Sequence, residues 1–312
     1  MENRILGLHH VTAIAGYAQE NYNFYTKVLG LRLVKKTVNF DDPGSYHLYY
    51  GDEVGTPGSI LTFFPSKTIW RGTTGTGMAT EIGYSVPKDS LTFWKQRLEK
   101  LGTKHEPIAE RFGEKFIALQ DSDGLNLSLI EPLNNDIRKP WIAEGLMEET
   151  ATRGFHSIVL TLKNAVATEA VLTTVFGYQF LGQEGNRFRY RTNAIDTANI
   201  IDIIQEPHGQ SGINAVGTNH HVAFRVKDDT QFKHFREKVK SEGLHITEKI
   251  DRNYFYSLYF REPGGVLFEI ASDNPGFATD EAISDLGTNL KLPAQYEKRR
   301  TEIEERLPQL VQ

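Results

Sequence analysis

A His-His-Val step stands at residues 9–11 and returns at residues 220–222. Each opens an alternating apolar stretch that leads into a helix-like pattern, "HHVTAIAGYAQENYNFYTKVLGL" in one case and "HHVAFRVKDDTQFKHF" in the other. Two further segments begin alike, "TEIGYSVPKDSLTFWKQRLEKLG" at Thr80 and "FHSIVLTLKNAVATEAVLTTVFGYQFLG" at Phe155. Self-similarity of this kind restricts the fold more than any single motif, because each copy is one supersecondary unit that must bury its apolar face against another copy. The unit reads βαβββ. A strand comes first, then a helix with an apolar stripe such as Tyr22, Phe24, Tyr25, Val28 and Leu29 and a glycine just past its end. Segments of strand length and β-branched or aromatic content follow: "LRLVKKTVNF", "YHLYYGD" and "GSILTFFP" in the first copy, "NYFYSLYF" and "GVLFEIAS" in the fourth.

The turn-rich "EPLNNDIRKPW" separates the second copy from the third. Residues 1–135 and 154–274 are thus expected to hold two modules each, with 136–153 as linker. The repeat is exhausted after "ASDNPGF", and residues 275–312, with the charged "QYEKRRTEIEERL", form a helical tail, either a solvated surface helix or a lid.

Composition narrows the chemistry. The chain has 312 residues, 39% of them hydrophobic, and no cysteine, so any metal must be held by His, Asp and Glu. No apolar run is long enough for a bilayer, and "MENRILGLHH" lacks the build of a signal peptide. The expected location is the cytoplasm. A net charge of -5 without a basic stripe points away from nucleic acid and from the membrane and towards a small molecule as partner. Homo-oligomerisation is left open.

The four modules, with "HHVT" near the start, "HHVAF" opening the last and "PGGVLFE" closing it, resemble the vicinal oxygen chelate superfamily of glyoxalases and extradiol dioxygenases. The segments "YHLYYGDEVGTPGS", "RFGEKF", "RGFHS", "EGNRFRYR", "DRNYFYSLYFREPGGVLFE" and "LPAQYE" are similar to para-hydroquinone ring-cleaving dioxygenases in particular. The resemblance implies an α+β fold in which four βαβββ modules form two cupped, incomplete β-barrel domains.

Superposing the module starts puts His10, Glu81, Ser157 and His221 at one equivalent position. Superposing the last strands by their turns, "PGSILT", "DGLNLS", "TANIID" and "GGVLFE", puts Thr62, Ser128, Asp202 and Glu269 at a second. His10, His221 and Glu269 together make two imidazoles and one carboxylate, a facial set that leaves three positions open on a non-haem Fe(II), with Mn(II) as the other candidate. If the first module pairs with the fourth, one cup receives His10, Thr62, His221 and Glu269 and the other Glu81, Ser128, Ser157 and Asp202. Neighbour pairing would instead split the histidines.

The resemblance adds Tyr259, as the tyrosine that hydrogen-bonds a metal-bound substrate oxygen, and Arg252, as a guanidinium for an anionic substrate or oxygen adduct. Catechol-cleaving members carry an acid-base histidine before that tyrosine, whereas "EKIDRNYFYSLYF" has none, which favours a para-hydroquinone. His9 and His220 adjoin the ligands. Alternation along a strand turns both to the far face and turns Thr12 into the cup. The implied reaction is Fe(II)-dependent ring cleavage of a small aromatic substrate by O2. A glyoxalase-type isomerase or thiol transferase, or a non-catalytic binding module, is the alternative; Thr62, standing where a fourth ligand would sit, argues against the first.

Overall fold

The computed structural model describes residues 4–66 and 70–312, so the first three residues of the stretch read for a signal peptide lie outside it. The first module runs β1 (Leu8–Ala15), α1 (Ala18–Asn23), β2 (Arg32–Val38), β3 (Tyr46–Gly51) and β4 (Ile60–Pro65). The second runs β5 (Met78–Ser85), α2 (Leu91–Lys100), β6 (Ala109–Arg111), β7 (Glu114–Gln120) and β8 (Asn126–Ile130). In the third come β9 (Gly154–Leu162), α3 (Val166–Ala170), β10 (Gln179–Glu184), β11 (Arg187–Arg191) and β12 (Ile200–Gln205). The fourth has β13 (Thr218–Val226), α4 (Asp229–Ser241), β14 (Ile250–Asp251), β15 (Tyr256–Arg261) and β16 (Leu267–Ser272). The expected βαβββ order is therefore present four times.

Two eight-stranded sheets result, ordered β14-β15-β16-β13-β1-β4-β3-β2 and β10-β11-β12-β9-β5-β8-β7-β6, each curled into a half-barrel cup. The first sheet joins modules one and four through the antiparallel pair β1 and β13, and the second joins modules two and three through β5 and β9. The boundary between residues 1–135 and 154–274 thus divides the sequence into halves without dividing the two sheets from each other. Helices cover the outer apolar faces. α4 buries Phe232, Phe235 and Val239 along one stripe, and Asp228 caps it by accepting from the N–H groups of Thr230 and Gln231.

Three local departures from the expected pattern position the site. Register shifts leave His9 as an extra residue on β1 and His220 as an extra residue on β13, and the second sheet repeats the device at Thr80 and His156. Such bulges bend the strand and re-aim side chains. The stripe from Tyr22 to Leu29, expected as one helix, is instead α1 followed by a π-helical turn, Phe24–Val28, in which the Leu29 N–H donates to Phe24 O at 3.1 Å. The wider turn leaves both Tyr25 and Leu29 fully buried. Lastly, β15 begins at Tyr256 and not at Asn253, because Asn253 takes φ 65° and its N–H is held by Asp251 Oδ1 at 2.7 Å.

The tail docks on the first sheet. Asp280 and Glu281 bracket the fully buried ammonium of Lys35 on β2 at 2.6 and 2.5 Å, and α5 (Arg300–Arg306) buries Ile303 while its charged residues pair along the solvent face. Tyr296 Oη donates to Phe40 O at 2.7 Å. Among the described residues no helix is long and apolar enough to cross a membrane.

Candidate metal centre

β1 and β13 lie side by side at the middle of the first sheet, and β16 pairs with β13 so that Glu269 stands opposite Ala223. Three buried side chains from these strands converge. His221 Nε2 is 2.9 Å from Glu269 Oε2, His10 Nε2 is 3.2 Å from the same oxygen, and the two nitrogens are 3.3 Å apart. Among the described residues, His10, His221 and Glu269 are the group whose His and carboxylate ligand atoms draw together closely enough for one ion.

The hydrogen-bond inventory says what this triangle is built for. Glu269 Oε1 accepts from Ser257 Oγ, but Oε2 is buried and accepts no hydrogen bond. Burial pushes the Glu269 carboxyl up, yet the His10 and His221 imidazoles outweigh it and hold the group well below the usual range. Burial lowers His221, favouring the neutral ring with a free lone pair. His10 Nδ1 lies 2.9 Å from His9 Nδ1, and His9 Nε2 lies 3.1 Å from Ser272 O. The carbonyl fixes the proton on His9 Nε2, so His9 Nδ1 accepts from His10 and leaves His10 Nε2 bare. His220 Nδ1 lies 2.8 Å from His221 Nδ1, so when His221 donates this bond its own Nε2 is bare. Two bare imidazole nitrogens and an unsatisfied carboxylate oxygen facing one point fit a divalent cation.

The triangle opens on a cavity of about 410 Å³. Thr12, Arg252, Tyr259 and His220 line it, together with apolar Ile14, Phe64 and Leu267. Tyr259 packs edge-on against His221, with ring centroids 5.6 Å apart, and the Arg252 guanidinium sits 5.4 Å from the Tyr259 ring. His9 lies behind His10 and outside the cavity lining, as alternation predicts. For His220 alternation fails. It lines the cavity, although it is the extra residue of the β13 bulge just as His9 is of the β1 bulge. Tail residues contribute nothing to the lining.

Sequence reasoning missed His47 and Tyr49, both on β3 and both lining the cavity. The signal available was their i, i+2 spacing in "YHLYYGD", which puts both on one face. The repeat offered no help, because it aligns only first and last strands.

The equivalent cup of the second sheet is filled with arginine. Arg111 Nη2 meets Glu81 at 2.5 Å and Ser128 at 3.1 Å, while Arg189 Nε meets Asp202 at 2.8 Å. Arg189 also reaches Glu114 at 2.6 Å, whose other oxygen is 3.0 Å from His156 Nε2. Guanidinium groups stand where a metal would otherwise balance the carboxylates.

A sequence profile of the Glyoxalase/Bleomycin resistance protein/Dioxygenase superfamily matches residues 7–129 and 154–270. This chain belongs to that superfamily. Among similar superfamily proteins are MhqO and MhqE of Bacillus subtilis (strain 168), both provisionally named ring-cleaving dioxygenases. MhqO is 44% identical over 307 residues, 98% of this chain and 97% of its own, and MhqE is 46% identical over 304 residues, 97% and 99%. A chlorohydroquinone/hydroquinone 1,2-dioxygenase of Sphingobium indicum is 35% identical over 312 residues, 97% of this chain and 96% of its own. The crystal structure of a provisionally named Bacillus subtilis dioxygenase superposes with a TM-score of 0.95 at 42% identity, covering 99% of this chain and 98% of that one. Glyoxalase I from Zea mays, at TM-score 0.64 and 14% identity over 86% of this chain and 92% of its own, shares the superfamily fold.

Proposed function

We propose that this chain is an Fe(II)-dependent, extradiol-type dioxygenase that opens the ring of a para-hydroquinone with O2. The observation that carries the reading is the triangle of two bare imidazole nitrogens and one unsatisfied carboxylate oxygen at the floor of an aromatic-sized cavity. The names of three full-length relatives support the reaction class. Fe(II), or Mn(II) in its place, held by His10, His221 and Glu269, supplies redox chemistry and open coordination positions.

The remaining work falls to side chains. Ile14, Phe64 and Leu267 hold an aromatic ring by its faces and exclude water. Arg252 offers positive charge to an ionised ring oxygen. Burial, reinforced by the Glu269 carboxylate, raises the Tyr259 phenol, so Tyr259 keeps its proton and donates a hydrogen bond to an anionic oxygen. Burial and the neighbouring His221 push His220 down to about 4, so its ring is neutral. In the tautomer in which His221 donates to its Nδ1, His220 carries its proton on Nε2 and, as part of the cavity wall, can give it to a developing oxyanion.

Protein loaded with Fe(II) under anaerobic conditions should, on mixing with hydroquinone and 18O2, consume one O2 per ring and yield a labelled ring-opened acid. Metal-loaded protein that isomerises a hemithioacetal but takes up no O2 would overturn the proposal in favour of a glyoxalase-type reaction.

A further inference from the structure

Thr62 is held by a chain of hydrogen bonds whose direction can be worked out. Tyr49 Oη lies 2.9 Å from His47 Nδ1, His47 Nε2 lies 2.9 Å from Thr62 Oγ1, and Thr62 Oγ1 lies 2.8 Å from Thr12 Oγ1. Register explains the alignment: Tyr49 on β3 and Thr12 on β1 both stand opposite Thr62 on β4. Thr12 is also the register partner of His221 and sits two residues from His10, so the chain ends beside both imidazoles of the centre.

Burial, then the neighbouring His10, keeps the His47 ring well below its ordinary range, and a neutral imidazole has one N–H to place. Burial likewise keeps the proton on the Tyr49 phenol. A phenol is a good donor and a poor acceptor, whereas an imidazole nitrogen lone pair is a good acceptor. The stronger arrangement therefore has Tyr49 donating to Nδ1, the His47 Nε2–H donating to Thr62, and Thr62 donating to Thr12. Thr12, already accepting from Thr62, has its own hydroxyl proton left for the cavity it lines. The opposite direction would point the phenol as the terminal donor and leave Thr12 an acceptor towards the cavity. Thr62 is thereby engaged as both acceptor and donor, which fits its standing in the fourth position without serving as a ligand.

We propose that Tyr49, His47 and Thr62 are positioning residues that fix the Thr12 hydroxyl as a hydrogen-bond donor to an anionic ring oxygen of the bound substrate. The inference rests on the ring-cleavage reading for the identity of that oxygen, but the direction of the chain does not.

The first test is therefore made without metal or substrate. In 15N-labelled metal-free protein, His47 should show a protonated Nε2 and a bare Nδ1; the reverse tautomer overturns the inference. The second test compares kcat and KM for a hydroquinone in Fe(II)-loaded variants. Thr62→Val, which keeps shape and breaks the chain, should lose about 10- to 100-fold in kcat, as Thr12→Val should, with Thr62→Ser restoring most of the rate. The double variant should be no slower than Thr12→Val alone, since both remove the same donor. Additive losses, or a Thr62→Val protein as fast as wild type, overturn the inference. If wild-type protein itself consumes no hydroquinone, the ring-cleavage reading fails, and the His47 tautomer then decides the direction of the chain by itself.

Discussion

Glu269 uses its two oxygens for different tasks: Oε1 accepts from Ser257, and Oε2 is left bare towards His10 and His221. Glu269→Gln turns one of them into an NH2 group, so either the serine bond or the anionic ligand is lost. Loss of an outer partner of a metal ligand typically costs 10- to 100-fold in affinity. The variant should therefore bind Fe(II) at least about 100-fold more weakly and show no turnover, with its circular dichroism unchanged; titration of metal into apo-protein checks this. Tyr259→Phe should behave differently. It removes a donor and no ligand, so metal content should hold while single-turnover rates fall by about 1.5 to 3 kcal/mol, roughly 10- to 150-fold. The convergence of His10, His221 and Glu269 was legible because the repeat puts the two histidines at one equivalent position of the first and fourth modules and Glu269 on the last strand of the fourth. His47 was not, because its contribution depends on which strands become neighbours: only the ladder shows that Tyr49 stands opposite Thr62 as Tyr259 stands opposite Glu269, with His47 and Ser257 bonded to those same two residues.

At the level of strands and sheets, module order followed from the repeat, and first-with-fourth pairing from the requirement that one cup hold both histidines, but the facing of individual side chains followed from neither. A two-residue period does not settle the facing of a bulged residue: His9 and His220 are both extra residues at bulges, and of the two only His220 lines the cavity. The π-turn after α1 is invisible for a similar reason: its apolar spacing reads as ordinary helix. The second sheet shows how the same scaffold is stabilised without an ion. Burial raises Glu114, but His156 and Arg189 overcome it and bring its pKa down to about 2. A folded-state value below the unfolded one means that the unfolded chain binds more protons between pH 4.5 and 2. The stabilisation is complete above that window and is lost as pH falls through it. Glu114→Gln should cost about 3 kcal/mol at pH 7 and flatten the acid limb of the unfolding curve between those values, as measured by denaturant titration at stepped pH.

For the molecule as a whole, two related cups and one converging ligand set predict about one Fe(II) per chain in anaerobically prepared protein. A ratio near two by elemental analysis would mean that the arginines of the second cup give way to metal. The pairing of first and last modules has a further consequence, in time. While a ribosome makes the chain, the second and third modules can close their sheet as soon as both have emerged, but β1 must wait for β13 and β16. At roughly 5 to 20 residues per second, His10 is exposed for on the order of ten seconds to a minute before Glu269 exists. The strand that carries the first histidine goes without its β13 partner through that interval, and no metal can be captured by the three residues together until Glu269 has been translated.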